Sequence, residues 1–120
     1  MLTGSTRLKA GSATKAVLNA ITTAAMVKLG KAYENLMVDL KPSSAKLRDR
    51  TRRIVSAAAG VPPARAGRLL EAAGGEVKTA IVMGRLSLGV EAARTRLLEA
   101  RGHVRAALRR PPKKTPKRRR

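Results

Sequence analysis

Gly4-Ser5-Thr6-Arg7-Leu8-Lys9-Ala10-Gly11-Ser12-Ala13-Thr14-Lys15 runs directly into the apolar stretch Ala16-Val17-Leu18-Asn19-Ala20-Ile21. Small hydroxyl residues, two glycines, one arginine and two lysines ahead of a helix are the chemistry of an anion-binding loop. Hydroxyls and backbone N–H groups bind phosphate oxygens, and a helix N-terminus adds a favourable dipole. Arg7 suits two oxygens at once, whereas Lys9 is a point charge. A loop of this kind ordinarily follows a strand, but this one begins three residues after Met1. The chain therefore reads as the back part of a longer protein.

Outward from the loop, residues 12–29 read as a helix capped by Ser12. Val17, Leu18, Ile21, Met26, Val27 and Leu29, with several alanines, cover most of its circumference. A helix apolar nearly all round is a buried one, commonly against a sheet. Gly30 fits its C-terminal cap. Leu36-Met37-Val38-Asp39-Leu40 fits a buried strand in length or a continuation of the helix, and periodicity does not separate the two. Lys41-Pro42 ends that run, and Ser43 or Ser44 caps a helix over 45–59 carrying Leu47, Ile54 and Val55 on one face.

The remainder is helical and repeats itself. Arg68-Leu69-Leu70-Glu71-Ala72 returns as Arg96-Leu97-Leu98-Glu99-Ala100, and Gly75-Glu76-Val77-Lys78 returns as Gly102-His103-Val104-Arg105 after a one-residue deletion. Each copy is a short helix, a glycine stop and a second short helix, too small to bury much alone. The tail, Pro111 to Arg120, has three prolines and no apolar anchor, which predicts disorder.

Composition narrows the class. Among 120 residues there is no Phe, Trp or Cys, and Tyr33 is the only aromatic. The core must come from Leu, Val, Ile, Met and Ala, which favours helices over a sandwich or barrel. A disulfide scaffold and thiolate metal sites are excluded. The lone His103 has no ligand partners nearby in sequence and reads as a surface residue, so no metal site is expected. No run is long enough for a membrane helix, and no secretory signal is legible, so a cytoplasmic location is expected. The net charge is +20, and eight basic groups lie in Arg109 to Arg120. Weak polyanion binding by that tail follows from counterion release. A small nucleic-acid-binding protein is the competing reading, although stacking aromatics are missing.

The loop and its sequel resemble the N-acetylmuramic acid 6-phosphate etherase family, a relative of the glucokinase regulatory protein. The matching text is Leu2 to Lys15, Val17-Leu18-Asn19, Thr22-Thr23-Ala24-Ala25-Met26, Leu29-Gly30-Lys31, Asn35 to Leu40 and Gly74 to Met83. The resemblance implies a mostly α chain: residues 1–42 as the remnant of an α/β sugar isomerase-type domain, residues 43–110 as a helical, ubiquitin-associated-like region, and 111–120 as a basic tail. It implies a C-terminal fragment of a cytoplasmic, homodimeric lyase of cell-wall sugar recycling. That enzyme cleaves the D-lactyl ether of N-acetylmuramic acid 6-phosphate, giving N-acetylglucosamine 6-phosphate and D-lactate without metal or organic cofactor.

In that family glutamates run an elimination followed by water addition. One carboxyl takes the C2 proton and one protonates the leaving oxygen, which requires tuned pKa values. None of Glu34, Glu71, Glu76, Glu91 or Glu99 stands in a matching context, so no catalytic residue is expected here and the chain alone is expected to be inactive. The resemblance assigns the sugar phosphate to Ser5, Thr6, Arg7 and Lys9. A retained, non-catalytic sugar-phosphate sensor is a further alternative. Asp39 reads as a structural cap or ion-pair partner. The family also has glycine where Glu34 stands, so a positive φ there would strain the turn.

Overall fold

The computed structural model describes residues 6–109, with side chains from Lys9 onward. Six helices and one small hairpin are present among the described residues. They are α1 (Thr6–Lys28), β1 (Ala32–Tyr33), β2 (Leu36–Met37), α2 (Ala45–Ala59), α3 (Pro63–Ala72), α4 (Val77–Leu86), α5 (Val90–Glu99) and α6 (Val104–Leu108). The chain is mostly helical, as its composition demands.

The core is built around α4, which packs against α2, α3, α5 and α6. Ala80, Ile81 and Val82 are fully buried, and Val77, Thr79 and Met83 nearly so. Such a helix has neighbours on almost every side, as its near-continuous apolar run requires. Val55, Ala66 and Ala93, each fully buried, face it from α2, α3 and α5. Burying each Ile or Val side chain contributes roughly 1.5–3 kcal/mol.

Local chemistry sets the ends. Ser44 is the N-cap of α2 and accepts the Leu47 N–H at 3.3 Å, while Gly60 closes it at φ 67°. The Ser56 hydroxyl donates to the Val61 carbonyl at 2.6 Å, and Arg85 Nε donates to the Ala58 carbonyl at 2.8 Å. The Ala58 carbonyl in the last turn of α2 is therefore satisfied by a side chain, and the Ser56 carbonyl by the backbone N–H groups of Gly60 and Val61. Pro63 begins α3, where its missing N–H costs nothing.

The repeat holds, but in another register. Helices α3 and α5 begin at Pro63 and Val90, and α4 and α6 begin at Val77 and Val104, a constant offset of 27 residues. The turns match bond for bond: Gly75 N–H donates to Leu70 and Gly102 N–H to Leu97, each at 2.8 Å. No residue is deleted. The Leu-Leu-Glu-Ala match is one residue out of step, because the alignment follows the core and not the surface letters. Ala66 with Ala93, Leu70 with Leu97, Val77 with Val104 and Ala80 with Ala107 are the structural pairs, and all but the half-buried Leu70 are buried.

Three other expectations change. The helix begins at Thr6, so the loop residues from there on are helical and Ser12 lies inside α1, not at its cap. Arg7, Leu8, Lys9 and Ala10 are strong helix formers, and one Gly11 at about 1 kcal/mol does not break the run. The Thr14 and Thr22 hydroxyls donate to the Ala10 and Leu18 carbonyls, each at 2.9 Å, which leaves the helix intact. Nor is α1 buried: Val17, Leu18, Ile21 and Val27, with Leu29 just beyond its end, are 55–64% exposed, and its substantial packing is against β1 alone. The third change is at Leu36–Leu40, which is neither a five-residue strand nor more helix. Leu36–Met37 pairs antiparallel with Ala32–Tyr33, and Val38 then turns inward and is buried. The tail from Arg110 lies outside the described residues.

Among the described glycines the tightest approach is at Gly84 of α4. A Cβ there would sit 2.9 Å from the Ala59 Cβ and 3.1 Å from Leu69 Cδ1. Ordinarily Gly to Ala inside a helix stabilises by about 1 kcal/mol. Here overpacking outweighs that gain, and Gly84→Ala should lose about 1–3 kcal/mol in urea unfolding.

Candidate functional site

Thr6 and Arg7 form the first turn of α1, and Lys9 is exposed one turn further on. Ser5 lies outside the described residues. Of the expected anion-binding residues, Thr6, Arg7 and Lys9 thus lie in the first turns of one helix, an end where unpaired backbone N–H groups and the dipole are oriented toward an anion. The 23 residues of α1 span roughly 35 Å, and only its far end joins the hairpin.

That far end is clamped to the second repeat. Gly30 is buried at φ 72°, and a Cβ on it would lie 3.1 Å from both the Gly102 carbonyl oxygen and His103 Nδ1. His103 is therefore a half-buried packing residue at the start of α6, where a surface residue was expected. Tyr33 and Val38 are buried beside it in the same core. Glu34 occupies the first position of the two-residue hairpin loop at φ 53°, the left-handed region expected from the missing glycine. Positive φ at the first loop position is the pattern of a type II′ turn, which prefers glycine there. Its carboxylate accepts a hydrogen bond from Arg105 Nη2 at 2.9 Å, which offsets part of the strain. Asp39 pairs with Lys31 at 3.8 Å, the structural role expected of it.

The second polar cluster joins the repeats. Glu76 precedes α4, and its Oε2 accepts from the Thr79 hydroxyl at 2.7 Å and from Arg94 Nε at 3.2 Å. Arg94 also donates to Glu76 Oε1 and to Glu91 Oε1, both at 3.3 Å. The Thr79 hydrogen bond, then Arg94, holds the Glu76 carboxyl below its usual value. A general acid or base at neutral pH needs a carboxyl raised toward 7, so Glu76 is tuned the wrong way for proton transfer. Beside it lies a groove of about 750 Å³, lined by Val38, Leu40, Pro42, Lys78, Leu97 and Leu98 among others. No group of three or more His, Asp or Glu residues suited to a metal occurs among the described residues.

Reading from sequence missed Arg94 and Arg105. Glu91 and Arg94 are three apart on one helix, a spacing that signals a pair. Arg105 and Glu34 are 71 positions apart, and no local pattern joins them.

With this geometry in view, comparison with known proteins places the chain. No family model matches it. Its curated relatives, however, are etherases acting on a phosphorylated sugar, and the match is close. The N-acetylmuramic acid 6-phosphate etherase of Rubrobacter xylanophilus is 60% identical over 108 residues, 90% of this chain and 35% of the relative. That of Geobacillus sp. WCH70 is 54% identical over 108 residues, covering 90% of this chain and 37% of the relative. That of Deinococcus radiodurans is 51% identical over 108 residues, again 90% of this chain and 35% of the relative. The chain belongs to the N-acetylmuramic acid 6-phosphate etherase family and corresponds to a C-terminal part of it, spanning about a third of the length of these relatives.

Two measurements test the local chemistry. Glu34→Ala removes an exposed ion pair worth about 0–1 kcal/mol but keeps the strained φ. Glu34→Gly removes both, so it should be more stable than Glu34→Ala by about 1 kcal/mol. The folded Glu76 carboxyl is depressed below its ordinary value of 4.5. Its contribution to stability is therefore fully present above about pH 4.5 and is lost as pH falls through the folded value. The urea midpoint of Glu76→Gln should fall less steeply below pH 5 than that of the parent chain.

Proposed function

We propose that these residues are the C-terminal part of a lyase that cleaves the D-lactyl ether of N-acetylmuramic acid 6-phosphate. The observation that carries the reading is the 60% identity to the Rubrobacter xylanophilus etherase along 108 collinear residues. The products are N-acetylglucosamine 6-phosphate and D-lactate, in cytoplasmic recycling of cell-wall sugar, with the full-length enzyme a homodimer. Glutamates outside these 120 residues carry out elimination and water addition, so the chain by itself is inactive. Ser5, Thr6, Arg7 and Lys9 hold the sugar phosphate from one side. Two charge-assisted hydrogen bonds from Arg7 suit a dianionic phosphate.

Residues 1–42 belong to a sugar isomerase-type α/β domain in this reading, and residues 43–110 form a ubiquitin-associated-like helical unit. Two features of α1 support the first assignment. At 100° per residue, Val17, Leu18, Ile21 and Leu29 fall within an arc of about 120°. Ala13, Ala16, Ala20, Ala24 and Val27 fall on an adjoining arc of about 80°. A large-residue face beside a small-residue face suits a helix lying between a sheet and a second close-packed element. The tail, 111–120, contributes only weak, salt-sensitive attraction to polyanions.

The test compares this chain with a version extended upstream in the same reading frame. The extended protein should release D-lactate from N-acetylmuramic acid 6-phosphate, and the 120-residue chain should not. In the extended protein, Arg7→Ala should lower kcat/KM roughly 10- to 100-fold, the loss of about 1.5–3 kcal/mol of charged hydrogen bonding. Absence of D-lactate from the extended protein would overturn the reading.

A further inference from the structure

One repeat position carries a cation in both copies, and only one of the two cations has an anion. Arg105 in α6 is exposed and donates to the Glu34 carboxylate at 2.9 Å. Its structural counterpart, 27 residues earlier, is Lys78 in the first turn of α4. Lys78 is half-buried, its ammonium 3.6 Å from where a Cβ on Gly102 would sit. It forms no ion pair or hydrogen bond among the described residues. The less exposed cation is thus the one without a carboxylate. Burial raises the cost of an unmatched charge, so folding alone would favour the opposite order.

Lys78 lines the groove of about 750 Å³ beside Glu76, a volume in the range of sites for small organic ligands. Val38, Leu40, Pro42 and Leu97 make its lining apolar, and Leu98 stands at it 80% exposed. The carboxylates of the lining are already engaged, Asp39 by Lys31 at 3.8 Å and Glu76 by Thr79 and Arg94. Arg94 in turn is shared between Glu76 and Glu91. Lys41 and Lys78 remain as lining charges without a partner among the described residues. An apolar surface beside two unmatched cations complements a molecule with an apolar body and an anionic head.

We propose that this groove binds a small amphipathic carboxylate, its apolar body against Leu40, Leu97 and Leu98 and its head group on Lys78. The Glu34–Arg105 pair is the precedent within this chain for that head group. A carboxylate on Lys78 gives the first copy of the repeat the match that the second copy already has. Lys41, exposed at the same groove, adds attraction at longer range. Burial of hydrocarbon supplies affinity, and the charge sets orientation. The site lies on described residues and needs no part of the etherase reading, so its failure leaves the D-lactate assay unaffected.

Octanoate is the probe, octanol is the same body without the charge, and the amide NMR shifts of the 120-residue chain are the readout. Octanoate should bind saturably and move the amides of Lys78, Leu98 and Gly102. Octanol should bind about tenfold more weakly or worse, and Lys78→Met should weaken octanoate similarly, as loss of a hydrogen bond to a charged group does. Leu98→Glu checks the apolar side. Its structural counterpart is Glu71, so the fold accepts a carboxylate there, and the variant should keep its helical circular dichroism. It should nonetheless weaken octanoate, because it sets a like charge at the groove. Absence of saturable binding overturns the proposal, as do shifts confined to the exposed apolar face of α1. So does octanol binding as tightly as octanoate, or either variant binding octanoate like the parent.

Discussion

Everything after residue 44 depends on α4 having close neighbours on nearly every side. A core without Phe or Trp cannot fill space with a few large side chains, so it must bring backbones close together. Gly84 allows that approach, with Ala59 and Leu69 against it, and Ala66, Ala80 and Ala93 continue it at full burial. Small residues here are the means of packing. They also make the core intolerant of added volume where the neighbour is as short and fixed as the Ala59 Cβ beside Gly84.

The repeat is the second consequence of that constraint. Two helix pairs repeat at an offset of 27 residues, and in each a left-handed turn precedes the second helix. In the first pair both turn residues are glycine, Gly74 and Gly75, whereas in the second they are Arg101 and Gly102, all at positive φ. Turn geometry is retained even where the residue is unfavourable, because Gly102 must lie close to the Lys78 side chain and its carbonyl to Gly30. The second turn is also a docking point for the hairpin, and that double use explains why a strained Arg101 and a strained Glu34 lie near the same contact.

Much of this was legible in the letters. Helix α2 is found at the expected residues 45–59, because Ser44, the Ile54–Val55 pair and Gly60 all agree. Gly30 adopts the left-handed cap expected of it, and Glu34 the positive φ implied by a glycine elsewhere in the family. The repeat was visible but misregistered, since the longest run of matching letters included exposed positions that carry no packing constraint. The hairpin was not legible: two-residue strands have no periodicity, and the burial of Val38 depends on contacts far along the chain. Of the candidate site, the residue types at 5–9 were read from local chemistry, while the Glu34–Arg105 clamp needed the fold.

The helix α1 shows where local propensity and tertiary need part company. Its residues are good helix formers, so a continuous helix from Thr6 to Lys28 follows from backbone energetics alone. The distribution of its side chains answers a different requirement. An isolated surface helix would confine its apolar residues to one stripe, but here large and small apolar residues together extend over more than half the circumference. Such a pattern is costly in water and is balanced only when both faces are covered. Residues 6–109 supply cover at one end, through the hairpin, and leave Val17, Leu18 and Ile21 in solvent. The excess of apolar surface is what the proposed placement of α1 in a larger domain would account for. It is consistent with a chain that spans about a third of the proteins it matches.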